Sequence, residues 1–176
     1  MGCGKSSVGR RLSELLCCPF IDLDEVIEER AGRTIPEIFA SDGEEVFRRM
    51  ELQALQTVVS EGWSKTKSPT DNCHTLVLAL GGGTVMTPDC ADIVHSDTTC
   101  IYLKASADTL TDHLSGQTGN RPLLRQGNIP VRNRITDLMS QRSAAYEKTA
   151  HITIDTDGKT IEDIAAVIAR KLTVYR

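Results

Sequence analysis

Apolar residues recur along the chain at two spacings, and the spacing alternates. In "KSSVGRRLSELL" (Lys5 to Leu16), Val8, Leu12 and the pair Leu15–Leu16 share one stripe, which predicts a helix. "CPFID" is short, apolar and ends in acid, as a strand does at a sheet edge. "LDEVIEERAG" returns to helical spacing, and Gly32 is placed to stop it. Thr34 then caps a short helix over "IPEIFASDG". A longer helix follows over "EEVFRRMELQALQTVVSEG", with Val46, Met50, Leu52, Leu55 and Val58–Val59 as its candidate core positions.

Beyond the polar, proline-bearing loop "SKTKSPTDN", the run "TLVLAL" feeds straight into Gly81-Gly82-Gly83 and predicts a strand covered on both faces. "CIYLK" predicts another strand, followed by a helix from Asp108 to about Leu114. Residues 116–130, rich in Gly, Asn and Pro, predict a mobile loop. A helix over about Val131–Tyr146, the strand "HITIDT", and a last helix over "IEDIAAVIARKL" complete the chain. Thr160 and Asp163 form the capping box of that last helix. Helices alternating with four strands predict an α/β fold built on a parallel sheet.

At 176 residues the chain is about one domain, with neither repeats nor low-complexity blocks. Twenty Lys and Arg against 24 Asp and Glu leave a net charge of -4, so no broad basic footprint offers itself to nucleic acid or to an anionic membrane. No stretch approaches the about 20 apolar residues of a membrane span. The six cysteines make no C-x-x-C pair and read as free core thiols of a reducing cytoplasm. The four histidines are scattered and show no ligand spacing.

The N-terminal "MGCGKSSVGRRL" ends like a phosphate-binding loop, G-x-x-x-x-G-K-[ST]. Gly2 and Gly4 carry no Cβ, so the backbone N–H groups of Gly2, Cys3, Gly4, Lys5, Ser6 and Ser7 can converge on phosphate oxygens. The helix beginning at Lys5 adds its positive end. Lys5 supplies a charge for the outer phosphates, and the Ser6 hydroxyl can ligate Mg²⁺. As a bare string this also fits a glycine turn before an amphipathic helix with a surface lysine.

Other groups carry chemistry too. Asp22 and Asp24 straddle a strand end, where open α/β sheets bind ligands, and suit one magnesium-side and one substrate-side role. Equally, both could be solvated acids at a helix start, where Asp24 would cap well. Arg48 and Arg49 point to different sides of their helix. Glu51, three residues after Arg48, can hold its guanidinium. The three glycines after a strand let backbone approach a small ligand, or simply make a tight turn.

Taken in order, "FIDLDEVIEERAGRTIPEIFASDGEEVFRRME", "LALGGG", "NRPLL" and "QRSAAY" resemble the shikimate kinases, nucleoside-monophosphate-kinase-like P-loop proteins, from Met1 to the last helix. The resemblance implies a three-layer kinase fold with parallel strand order 2-3-1-4-5, a substrate-binding helical region over about 23–62 and a lid over about 116–130. It implies Mg²⁺-ATP-dependent phosphorylation of the 3-hydroxyl of shikimate, toward chorismate and the aromatic amino acids, by a cytoplasmic monomer. In that family the loop reads G-x-M-G-x-G-K-[ST]. The first strand and first loop glycine, about ten residues, are therefore expected upstream of Met1.

By the same resemblance Asp22 lies near the hydrated Mg²⁺, and Asp24 contacts the attacking hydroxyl as base or orienter. Arg48 and Arg142 bind the substrate carboxylate, and Gly81, Gly82 and Gly83 line the substrate site. Arg121 swings from the lid onto the transferring phosphate, and Asp155 lies beside the adenine. Two residues depart from the pattern. Ala79 stands where a Ser or Thr usually supports the metal's water shell, a loss worth about 10–100-fold in affinity or rate. His113 stands where an arginine often approaches the nucleotide. A related small-molecule kinase of the gluconate type, or a binding domain without catalysis, are the competing readings.

Overall fold

In this computed structural model, residues 3–60, 75–115 and 131–174 are described. Four short strands and seven helices alternate among them: α1 (Lys5–Leu16), β1 (Phe20–Asp22), α2 (Leu23–Ala31), α3 (Ile35–Ser60), β2 (Val77–Ala79), α4 (Pro88–Asp97), β3 (Ile101–Lys104), α5 (Ala107–Ser115), α6 (Val131–Thr149), β4 (Ile152–Asp155) and α7 (Ile161–Val174). A 3-10 turn, Thr84–Met86, follows the glycines.

Among the described residues all strand pairing is parallel. β1 pairs with β2 in the register Phe20–Val77, Ile21–Leu78, Asp22–Ala79, and β3 pairs with β4 from Ile101–Ile152 to Lys104–Asp155. With the expected upstream strand counted as the first, these are the neighbour pairs 2-3 and 4-5 of the predicted order.

Two principal cores cover the strands. One gathers Ile21, Leu23, Ile27, Ile38, Phe47, Leu55, Val58, Cys90 and Val94 from β1, α2, α3 and α4. The other joins Val8 and Leu12 of α1 to Ile152 and Ile154 of β4 and to Ile164, Ala165 and Ile168 of α7. Strand β2 serves both: Leu76, Leu78 and Leu80 pack on the first and Val77 on the second, because alternate side chains leave a strand on opposite faces. That is the two-faced covering its apolar run predicts. A smaller cluster of Ala105, Leu110 and Ile135 ties α5 to α6.

Several boundaries follow from local chemistry. Gly32 ends α2 in the left-handed region at φ 62°, a conformation glycine adopts without strain. Thr34 begins α3, its carbonyl accepting from Ile38 N and its own N–H donating to Glu37 Oε2 at 2.7 Å. At α7 the capping box closes, with Thr160 Oγ1 donating to Asp163 Oδ2 at 2.8 Å and accepting from Asp163 N at 3.1 Å. The two helices predicted over 35–43 and 44–62 are both present within Ile35–Ser60, meeting at a kink at Gly43, whose φ 81° and ψ 174° are not helical.

Some expectations are corrected. Leu15 is exposed rather than part of the buried stripe of α1, whose inner face is completed by Gly9 packed against the Phe20 ring. The buried face of α3 runs through Phe47, Glu51, Ala54, Leu55 and Val58, so Val46 lies beside it. Of the cysteines, Cys90 is buried but Cys17 is exposed in a left-handed turn. The α4 helix has no counterpart in the sequence reading. Among the described residues no helix is long and apolar enough to cross a membrane.

Candidate active site

The site forms at the C-terminal ends of β1 and β2, where Asp22 and Ala79 end paired strands. Gly4, at φ 74°, turns the chain into α1, and Val8 N closes the first helical bond onto Gly4 O at 2.8 Å. The next residues sit at the helix start, where N–H groups have no partner within the helix. Ser6 Oγ donates to Asp22 Oδ2 at 2.6 Å, so the phosphate-loop hydroxyl and the acid at the strand end meet.

The other oxygen of Asp22 accepts from Asp24 N at 3.1 Å, which makes Asp22 the N-cap of α2. Asp24 is the second residue of the helix and does not cap. It is half-buried instead, and its carboxyl is raised from 3.8 to about 6. Burial is the largest cause, followed by the charges of Asp22 and Glu51, with Lys5 pulling the other way.

Across the site, α3 presents Arg48. Its Nη1 donates to Glu51 Oε2 at 2.7 Å and its Nη2 to Glu44 Oε1 at 3.0 Å, at spacings of three and four that place all three on one helix face. Burial works against the guanidinium charge, yet the bonds to Glu51 and Glu44 outweigh it and raise the arginine's pKa. Glu51 is 1% exposed. Its second oxygen, Oε1, accepts from Thr84 Oγ1 at 2.6 Å, and the same hydroxyl lies 3.1 Å from Gly81 O. This carboxylate therefore joins the arginine to the turn that carries the glycines.

Two of the glycines lie close against side chains of the site. A Cβ on Gly81 would meet Asp24 Oδ1 at 2.9 Å, and one on Gly83 would meet Arg48 Nη2 at 2.6 Å. Gly83→Ala would thus push the Arg48 fork out of place. We expect it to raise KM for the anionic substrate about 10–100-fold while changing stability by less than about 1 kcal/mol, read by steady-state kinetics beside urea unfolding.

From the opposite side, α6 brings Arg142, whose Nη1 donates to Gly82 O at 3.1 Å. Tyr146, one turn on, donates its hydroxyl to the same carbonyl. Lys5, Gly81, Gly82, Arg142 and Tyr146 border one cavity of about 130 Å³. Asp155 ends β4, its Oδ1 accepting from Asp157 N at 3.0 Å in a short turn.

Thus Lys5, Ser6, Asp22, Asp24, Arg48, the three glycines and Arg142 converge. Gly2 and the lid arginine, Arg121, lie outside the described residues. Glu44, Thr84 and Tyr146 complete the arrangement without having been singled out by sequence. Glu44 alone had a local signal, four residues before Arg48. Ala79 pairs with Asp22 across the strands, so a missing hydroxyl there adjoins that carboxylate. Two histidines that looked scattered, His95 and His151, stack ring on ring at 4.6 Å, away from this site.

The arrangement offers oxygen donors and a cation at a helix N-terminus on one side and an arginine held by two carboxylates on the other. The shikimate kinase family model matches residues 1–173. A shikimate kinase of Thermus thermophilus is 40% identical over 172 residues, covering 98% of this chain and 85% of the relative, and that of Symbiobacterium thermophilum is 37% identical, covering 98% and 91%. The solved structure of Acinetobacter baumannii shikimate kinase in complex with shikimate superposes with a TM-score of 0.86 at 32% identity, over 100% of this chain and 90% of that one. With matches of that extent in both sequence and shape, the chain belongs to the shikimate kinase family.

Proposed function

We propose that this chain transfers the γ-phosphoryl group of ATP to the 3-hydroxyl of shikimate, giving shikimate 3-phosphate for the route to chorismate and the aromatic amino acids. The observation that carries the reading is the Arg48 fork, held by Glu44 and Glu51 against Gly83, in one site with an Asp24 that lies against Gly81 and whose pKa is raised to about 6. A planar cation of that geometry suits a carboxylate bidentately. A base works best when its pKa lies near the operating pH.

Arg48 and Arg142 bind the shikimate carboxylate, and the backbone of Gly81–Gly83 follows the ring. Asp24 then lies beside the reacting hydroxyl and accepts its proton as the oxygen attacks the γ-phosphorus. The bond from that phosphorus to the bridging oxygen breaks, and ADP leaves. Lys5 and the N–H groups from Gly2 to Ser7 hold the phosphates. Arg121 closes from the lid onto the transferring group and excludes water, and Asp155 lies beside the adenine.

The metal is read from the donor set. Ser6 and Asp22 present two hard oxygens in contact, and the described residues hold no cluster of three or more acid, His or Cys ligands. Two protein oxygens suit Mg²⁺, which keeps waters and phosphate oxygens as its other ligands. When bound, Mg²⁺ supplies charge neutralisation at the β- and γ-phosphates. We further read residues 1–176 as one kinase domain, a cytoplasmic monomer that needs neither nucleic acid nor membrane.

The test is ADP release by the full chain with Mg²⁺-ATP and a panel of acceptors. Turnover is expected with shikimate and not with gluconate. Turnover with gluconate alone would replace the substrate assignment. ATP binding without turnover on any acceptor would leave a binding domain and point to Ala79 beside Asp22.

A further inference from the structure

The carbonyl of Gly82 accepts from two donors on one helix, Arg142 and Tyr146. They are four residues apart and so share a face of α6. A carbonyl oxygen has two lone pairs, so both bonds can form together. The two donors differ in what else they can do. Arg142 is a long, permanently charged fork that pairs with anions. Tyr146 is fixed by packing: its ring lies 5.2 Å from that of Tyr102 and sits against the core of β1, β2 and α3.

We propose that Tyr146 is a positioning residue of the shikimate site, holding the Gly82 carbonyl so that Arg142 is free to turn to the substrate carboxylate. The proposal rests on the carboxylate-binding role of Arg142. Without ligand, the guanidinium shares the carbonyl. When the carboxylate arrives, Arg142 exchanges a neutral acceptor for a charged one, a stronger bond. The exchange leaves Gly82 O satisfied only because the tyrosine hydroxyl stays. Without that hydroxyl the part-buried carbonyl would lose its donors, and Arg142 would be held back by the penalty of stranding it. The Thr84 backbone N–H donates to the neighbouring Gly81 carbonyl at 3.3 Å while its hydroxyl donates to Glu51 of α3, so the glycine turn is gripped from both flanks and Tyr146 supplies one of them.

Tyr146→Phe keeps the ring and removes only the donor. We expect KM for shikimate to rise about 5–20-fold, with kcat, KM for ATP and melting temperature essentially unchanged. Arg142→Ala should raise KM for shikimate about 100-fold, and adding Tyr146→Phe to it should produce no further increase, since nothing remains to be released. A rise for Arg142→Ala with none for Tyr146→Phe overturns the role of Tyr146 and leaves Arg142 as read. A parallel loss in kcat, both KM values and melting temperature makes Tyr146 a packing residue and overturns the proposal, as does an additive double variant. If Arg142→Ala leaves KM unchanged, the carboxylate role of Arg142 fails, and this proposal falls with it.

Discussion

Asp24→Asn should stabilise the ligand-free protein by about 2 kcal/mol at pH 7.5 while lowering kcat about 10²–10⁴-fold. The two effects have one cause. Asp24 is half-buried close to Asp22 and Glu51, and its carboxyl is raised from 3.8 to about 6. Below pH 3.8 the group is protonated whether the chain is folded or not, and it contributes no penalty. Between 3.8 and about 6 the folded protein holds a proton that the unfolded chain has released, so the stability tied to this group falls as pH rises. Above about 6 the full penalty, on the order of 3 kcal/mol, remains. Asn removes it, less a fraction for the lost acid in the first turn of α2. Urea unfolding of both forms at pH 7.5 and near pH 4 measures this, and the advantage of Asn should disappear at the lower pH. A variant less stable than the parent at pH 7.5 would mean that attractive contacts, not burial and like charge, govern Asp24.

The second large effect is expected at Arg48. Arg48→Met keeps an unbranched side chain over Phe47 but takes the cation away from Glu51, leaving a carboxylate 1% exposed with only the Thr84 hydroxyl for support. Removing one partner of a buried pair costs about 3–5 kcal/mol. Glu44 moderates little, being largely exposed and paired to the same arginine. We expect stability to fall by about 3 kcal/mol and KM for shikimate to rise about 100-fold or more. A companion change separates the two. Glu51→Gln added to Arg48→Met removes the stranded charge while keeping an oxygen for Thr84, so most of the stability should return while KM stays high. If stability does not return, the loss came from packing around the arginine stem rather than from the buried charge.

What could be read in the sequence was local. Gly32, the Thr160–Asp163 box and the Arg48–Glu51 pair act within four residues, so their geometry is written in their spacing. The exposed Leu15 and the shift from Val46 to Phe47 show the limit of that reading. When two adjacent positions are apolar, only the neighbouring element decides which is covered. Helix α4 carried a Thr87–Pro88 start but buries only Cys90 and Val94, too sparse a stripe to stand out. The contacts that complete the site join residues far apart in sequence, Thr84 with Glu51 and Tyr146 with Gly82, and no local pattern announces them. Motif resemblance named the groups expected to touch ligand, and the fold added the residues that hold them.

The break at Gly43 separates α3 into two rods that need not share a phase. Every helical residue turns the side chains beyond it by about 100°, so one residue inserted between Arg48 and Glu51 would swing the arginine away from Gly83 and from its carboxylate. The same insertion ahead of Gly43 could be taken up at the break, leaving Arg48, Glu51 and Glu44 facing inward. Length changes should therefore be tolerated over 39–42, between the buried Ile38 and the break, and be ruinous over 48–51, a contrast that an insertion scan scored by growth would show.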